Sequence, residues 1–282
     1  MRIVSLLPST TEILFAIGAG DDVVGVTFEC DYPEEARTRT IVSTSAMPEG
    51  LTPREIDAYV VEAMQRGEDL YHLDEGALAG LDADLVVTQD LCAVCAVDVS
   101  VVDDALAHLG CTAEVLTIDP HTLDEVFASI ETLGKATGHE EEASDLVTYQ
   151  RRKLAALWGW SLSRPKPRVM FLEWTDPPFA PGHWIPEMIE LAGGVPLLGT
   201  PGEKSRRITW EDVRAARPEV VIVAPCGYDR VGSLALADQL QASGVLPDGV
   251  PVHAVDANAS WARPGTRLVD GVEELARILH GR

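Results

Sequence analysis

Long apolar runs are absent from this chain. Nowhere do about 18 apolar residues follow one another, so no segment has the length to cross a bilayer as a helix. No leader is expected either: Met1 runs directly into RIVSLL, which reads as a first strand. Cytoplasmic residence is therefore expected, with an extracytoplasmic place as the alternative should a leader have been removed. Basic residues are scarce. Lys and Arg number 22 against 45 Asp and Glu, and the formal charge of −23 at pH 7 repels phosphate backbones and anionic lipid, which excludes nucleic acid and leaves a small molecule as the expected partner. Nucleotide-binding and hydrolytic signatures are missing as well. There is no GxGxxG, Walker loop or Ser-His-Asp arrangement, and GAGDD at 18–22 follows a helix rather than opening one. Enzyme chemistry is not expected. Cysteine is limited to five residues, an odd number, which in a reducing compartment read as thiols or ligands rather than disulfides.

What is present is a chain of 282 residues with 46% apolar content, enough to build two lobes rather than one layer. Strand-like runs alternate with helical patterns: RIVSLL, DVVGVT, TIVST, DLVVTQ and AEVLTI, then RVMFLEW, VPLL, EVVIVAP and VPVHAVD. The alternation predicts an α/β fold of two Rossmann-like lobes, each a mainly parallel sheet covered on both faces. Residues 122–163 carry almost no strand signal. Gly134 and Gly138 break them into two helices, the second a long linking helix from about Glu140 to Leu162. The expected divisions are a first lobe over 1–120, linking helices over 121–164 and a second lobe over 165–282, in a monomer.

The halves also repeat each other. LDEGALAGLDADLVVTQDLCA, from Leu73, lies over ITWEDVRAARPEVVIVAPCGY, from Ile208; in each an acidic residue, Asp84 or Glu219, leads into a β-branched run and then a cysteine loop. Upstream, TEILFAIGAGDDVVG matches PEMIELAGGVPLLG in the same order, which predicts lobes of like topology.

In open parallel sheets, ligands bind beyond the carboxyl ends of the strands. The loops there are PSTTE (8–12), TFECDYP (27–33), TQDLCAVCAV (88–97), EWTDPPFAPGHW (173–184), APCGYD (224–229) and DANASWARPGTR (256–267), which hold four of the five cysteines and three of the six tryptophans. A cleft with aromatic walls and a few polar groups is the makeup of a small-molecule site. Trp174, Phe179, Trp184 and Trp261 are candidates to lie flat against a ring system, with Tyr32, Gln89 and Tyr228 on the same loops. Glu29 and Asp31, like Glu173, Asp176 and Asp256, can accept hydrogen bonds from ligand amides, or cap helices. Ser9 and Thr10 belong to a capped helix start whose free amides suit a carbonyl or anion. Arg263 suits a phosphate, or a surface salt bridge. Trp158 and Trp160, on the linking helix, are expected to pack.

Cys92 and Cys95 leave three readings open: a redox pair at a helix start, a clip for zinc or another metal completed by Cys30, Cys226 and His183, or inert buried thiols. His183 can ligate cobalt or another metal, or cap the helix that starts near Ile185.

These blocks carry a family resemblance. RIVSLLPSTTEILFAIGAG, LDADLVVTQDLC, the single long linking helix and RPGTRLVDGVEELARIL resemble a class III substrate-binding protein of the vitamin B12 and iron-siderophore group over essentially the whole chain. ECDYP, TQDLCAVCAV, EWTDPPFAPGHWIPEMIELAGG and APCGY resemble its leaderless cobalamin-binding subgroup. The resemblance implies cobalamin or a related corrinoid as ligand of an ABC-transport-type substrate-binding protein or a cytosolic corrinoid carrier, with an ABC permease as partner in the first case. The alternatives are a haem or ferric-siderophore binder on the same scaffold, or a Cys/His metal-binding protein or tetrapyrrole-handling enzyme. It further implies a docking carboxylate on each lobe. Glu211 fits that place in the second lobe. In the first, Gly76 aligns with it and Glu75 stands one place away. Thr266 replaces an expected proline in the closing block.

Overall fold

The computed structural model describes residues 1–68, 70–73, 76–78, 80–89 and 113–281. They fall into two units, Met1–Asp119 with Ala128–Val147, and Pro120–Phe127 with Thr148–Arg282. Glu75, Cys92, Cys95 and Cys111 lie outside the described residues.

The first unit is built on a six-stranded sheet of β1 (Ile3–Ser5), β2 (Val23–Thr27), β3 (Thr40–Ser45), β4 (Tyr71–Leu73), β5 (Leu85–Thr88) and β6 (Glu114–Thr117), in the order β4-β3-β2-β1-β5-β6. Every neighbouring pair is parallel except β3–β4. Central parallel strands are covered on both faces, so they need continuous apolar runs, and β1 and β5 are buried at every position. Val4, Leu6, Val42, Leu70 and Val86 form the core on one side. The edge strand β4 escaped the sequence reading because three residues, YHL, give no periodicity to detect.

The second unit adds β7 (Arg168–Leu172), β8 (Trp174–Thr175), β9 (Pro178–Ala180), β10 (Val195–Pro196), β11 (Arg206–Arg207), β12 (Val220–Val223) and β13 (Val252–Ala254). Its main sheet runs β10-β7-β12-β13, parallel throughout. A small antiparallel sheet, β11-β9-β8, stands beside it. Met170, Leu172, Val221, Val223 and Leu236 make the core of one face. The closing helix Leu268–His280 buries Leu268, Val272, Leu275 and Ala276, one stripe at helical spacing.

The repeat read from the sequence is a repeat of architecture. The order β2-β1-β5-β6 matches β10-β7-β12-β13, and the acidic residue ahead of β5 or β12 does one job in both. Asp84 Oδ2 accepts the N–H of Arg2 at 2.7 Å, and Glu219 Oε2 accepts the N–H of Arg168 at 2.8 Å. Each carboxylate thereby satisfies a donor at the start of the neighbouring strand.

Two linking helices are present, Leu123–Thr137 and Glu140–Ser161. Gly138, at φ 74°, lies between them, as expected of a helix-ending glycine. Gly134 does not break the chain. It lies inside the first helix, where a β-carbon would come within 2.4 Å of the Ala143 Cβ, so its small size lets the two helices approach. Among the described residues, no helix is long and apolar enough to cross a membrane.

Candidate functional site

In the first unit the chain runs β1, β2, β3 to one side and then crosses to β5 and β6 on the other. Strand order therefore reverses at the β1–β5 seam, beyond whose carboxyl end a ligand is expected. Ser5 ends β1 and opens a buried cluster of hydroxyls. Its Oγ lies 2.7 Å from Thr10 Oγ1 and 2.8 Å from Thr11 Oγ1, and Thr11 Oγ1 lies 3.1 Å from the Cys30 thiol. Thr27 Oγ1 accepts from Ser43 Oγ at 2.7 Å. Buried hydroxyls that satisfy one another fix the loops carrying them.

This cluster corrects part of the expected set. The helix Pro8–Ala16 starts without a side-chain cap; Leu7 holds the N-cap position, and the Thr10 and Thr11 hydroxyls turn back to the Leu7 carbonyl at 3.2 and 3.0 Å. Thr10 is fully buried, so its side chain is a scaffold element; Ser9 is buried beside it. Cys30 is a buried thiol held by Thr11. Glu29 Oε2 accepts the Tyr71 phenol at 2.9 Å, and the Tyr71 ring meets Phe28 at 5.8 Å, which ties the loop after β2 to β4. Asp31 is half-buried, Tyr32 is exposed and Gln89 is buried at the end of β5.

In the second unit the reversal falls between β7 and β12. The loops leaving these strands are joined directly: the Cys226 N–H donates to the Glu173 carbonyl at 3.2 Å. Trp174 and Tyr228, from the same two loops, meet edge to face at 5.8 Å. Both rings are half-buried, so each keeps an accessible part. Trp174 pairs with Phe179 across β8–β9, and Phe179 pairs with Arg207 across β9–β11. Directly paired residues of antiparallel strands share a face, and the Arg207 guanidinium lies 5.8 Å from the Phe179 ring centre.

Glu173 is a strongly perturbed acid. Burial pushes its carboxyl up to about 7, against the opposing pull of the Gly182 N–H at 2.6 Å and the Ser205 hydroxyl. The sequence grouped it with ordinary loop carboxylates; its position right after a buried strand was the available signal. Asp256 takes the capping role, accepting the Ala259 N–H at 2.9 Å.

The tryptophan set divides. Trp261 is 1% exposed, its ring 4.9 Å from that of Phe171, and its carbonyl accepts the Trp184 indole N–H at 2.8 Å. Trp184 is buried at the start of the helix Ile185–Leu191. Both are core residues, and with their faces packed inside the unit neither offers a platform to a ligand. His183 does not cap that helix, whose N-cap, Trp184, makes no side-chain cap bond. It takes a left-handed φ of 49°, donates its N–H to the Glu203 carbonyl at 2.6 Å, and sets its ring 5.6 Å from that of His121. Arg263 is half-buried, and Cys226 is an exposed free thiol.

Among the described residues, no three His, Cys, Asp or Glu side chains come together as a metal site. The cysteine clip expected for zinc depends on Cys92 and Cys95, outside those residues. Glu211 is exposed in the first turn of the helix Trp210–Ala215, which a Thr209–Asp212 capping box opens.

The chain is similar to curated proteins over nearly its whole length. The uncharacterized ABC transporter substrate-binding lipoprotein YvrC of Bacillus subtilis is 27% identical, the match covering 99% of this chain and 80% of that one. The vitamin B12-binding protein of Yersinia pestis is 24% identical over 98% of this chain and 85% of that one. Among solved structures, the periplasmic heme-binding protein RhuT from Roseiflexus sp. RS-1 matches with a TM-score of 0.72 at 22% identity, over 99% of this chain and 98% of its own. The periplasmic vitamin B12 binding protein BtuF of Vibrio cholerae matches with a TM-score of 0.63 at 24% identity, over 99% and 96%. At these identities the two structures show a shared fold. The periplasmic binding protein profile matches residues 3–245, and the chain belongs to the periplasmic binding protein family.

Proposed function

We propose that this chain is the ligand-capturing component of an ABC import system, with a corrinoid as its ligand. The observation that carries the reading is the Trp174–Tyr228 ring pair at the β7–β12 reversal, fixed by the Cys226–Glu173 backbone bond. Fixed aromatic edges and faces supply large contact area for a flat macrocycle at little entropic cost. Glu173, its carboxyl pushed up to about 7 by burial, can donate to a ligand carbonyl when protonated and accept from an amide when ionised. The reading asks for binding alone.

Family membership supports capture for import, and the names of the relatives supply the ligand classes, B12 and heme. The lipoprotein and periplasmic names favour the extracytoplasmic place over the cytoplasmic one. Glu211 offers an exposed carboxylate to a permease.

Calorimetric titration of the purified protein with cyanocobalamin, haem and zinc, each alone, tests the proposal. Cyanocobalamin is expected to bind with a Kd of about 1 μM or tighter, and Trp174→Ala is expected to weaken it by about tenfold or more. Tight haem binding without cyanocobalamin binding would replace the corrinoid with a porphyrin. Zinc binding without either would overturn the capture reading.

A further inference from the structure

Remote from the carboxyl-end loops, a cavity of about 410 Å³ opens at the amino end of the second unit's main sheet. Pro167 immediately precedes β7 and Glu219 immediately precedes β12, which places it there. Its size lies within the range of small-ligand sites. Arg164, Lys166 and His280 supply polar wall; Pro165, Pro167 and Leu279 supply apolar wall.

Neither cation, Arg164 or Lys166, is matched by an acid of the described residues, in a chain whose acids outnumber its bases 45 to 22, and the buried Nε of Arg164 has no hydrogen-bond partner among them. Both rest on aromatic rings instead. The Arg164 guanidinium lies 3.8 Å from the centre of Trp160, and the Lys166 ammonium 5.3 Å from that of Trp158. Cation–ring contact holds a charge in place without neutralising it. The segment SRPKPR alternates prolines with bases, and each proline fixes a φ, so the two cations are presented by a stiff backbone.

The remaining wall is already engaged. His280 Nε2 donates to the Ala192 carbonyl at 3.1 Å, with its ring edge-on to Trp160 at 5.5 Å. Glu219 accepts the Arg168 N–H that starts β7. Two unpaired cations thus face one carboxylate that is held elsewhere.

We propose that this cavity binds a small organic anion, a phosphate or carboxylate on an apolar body about one ring in size, with Arg164 and Lys166 as its partners. A guanidinium matches either oxyanion through two parallel hydrogen bonds, and an ammonium adds a point charge. The apolar wall accounts for the volume beyond the headgroup.

Phenyl phosphate, benzoate and inorganic phosphate are the probes, titrated separately at low ionic strength and followed by the indole N–H signals of Trp158 and Trp160 in NMR spectra of the labelled full chain. Saturable binding is expected for phenyl phosphate or benzoate with a Kd of about 1 mM or tighter, and inorganic phosphate should bind about fivefold or more weakly for lack of apolar contact. The tighter of the two organic probes identifies the headgroup. Lys166→Gln, a change at an exposed side chain, should weaken binding about fivefold, and Arg164→Gln by more, because it also removes the bidentate partner. Cyanocobalamin affinity should be the same in both variants. No saturation by about 10 mM of either organic probe, or equal affinity in wild type and both variants, overturns the proposal.

Discussion

The two units share one strand order and differ in what that order carries. At the β1–β5 reversal of the first, Ser5, Thr10, Thr11 and Cys30 close a buried set of short polar contacts around 3 Å. At the β7–β12 reversal of the second, the place after β7 is occupied by the β8–β9 hairpin, with Glu173, Trp174 and Tyr228 around it. One loop leads straight into a helix from Pro8, whereas the other inserts a hairpin before its helix at Ile185. Equivalent topology thus fixes where a side chain can act, and loop length decides its chemistry. Among the described residues, the hydroxyls at the first unit's reversal bond one another, whereas the second unit sets a buried acid and two half-buried rings at its own.

The contrast is sharpest within the second unit's tryptophans. Trp261→Ala removes a buried ring from contact with Phe171, while the backbone carbonyl that accepts the Trp184 indole N–H stays in place. It is expected to cost about 3–5 kcal/mol in urea unfolding. Trp174→Ala, at a half-buried position, should cost about 1 kcal/mol or less while removing ligand affinity. Equal destabilisation by the two changes would erase the division between core and rim.

The fold was legible because it rests on periodicity. All nine strands expected from apolar runs form, and the acidic residues singled out by the repeat, Asp84 and Glu219, prove to bond the start of a neighbouring strand in both units. What escaped notice was short or inward. β4, β8, β9 and β11 have two or three residues each, too few for a pattern, although the DPP turn between Trp174 and Phe179 marked a reversal. Side-chain direction is the other limit. Loop sequence places Trp174 and Trp261 alike near strand ends, but only packing separates the ring that meets Phe171 from the one that meets Tyr228. Trp158 and Trp160, expected as packing, support the bases of SRPKPR because a half-exposed ring beside a proline-stiffened basic segment can do so.

Glu173 has no counterpart among the first unit's hydroxyls, and pH isolates its effect. Its carboxyl titrates near 7 when folded and near 4.5 in the unfolded chain. Below pH 4.5 both states are protonated and the group is neutral to stability. Between 4.5 and 7 only the unfolded chain loses the proton, so stability falls as pH rises, by on the order of 3 kcal/mol once both have ionised. Glu173→Gln should flatten this slope between pH 5 and 8, measured by urea unfolding at a series of pH values. A residual slope of the same sign belongs to Glu187, whose carboxyl burial also raises. An unchanged slope would place the buried charge elsewhere.

The smallest effect tests the repeat itself. Gly18 and Gly193 follow equivalent helices and both stand at φ 90°, a conformation that any β-carbon strains by about 1–2 kcal/mol. Their surroundings differ. A β-carbon on Gly18 meets His139 no closer than 3.6 Å, whereas one on Gly193 comes to 2.8 Å from both Ser161 Cβ and His280 Nε2. Gly18→Ala should therefore show strain alone. Gly193→Ala should add overpacking against a helix that cannot yield freely, for an extra destabilisation of about 1–2 kcal/mol in matched unfolding curves. If the two variants lose equal stability, the backbone turn is the whole constraint at both positions, and the closer packing of the second unit around its closing helix contributes nothing. If Gly193→Ala loses more, the units share a turn imposed by topology and differ in how tightly the surrounding chain is packed onto it.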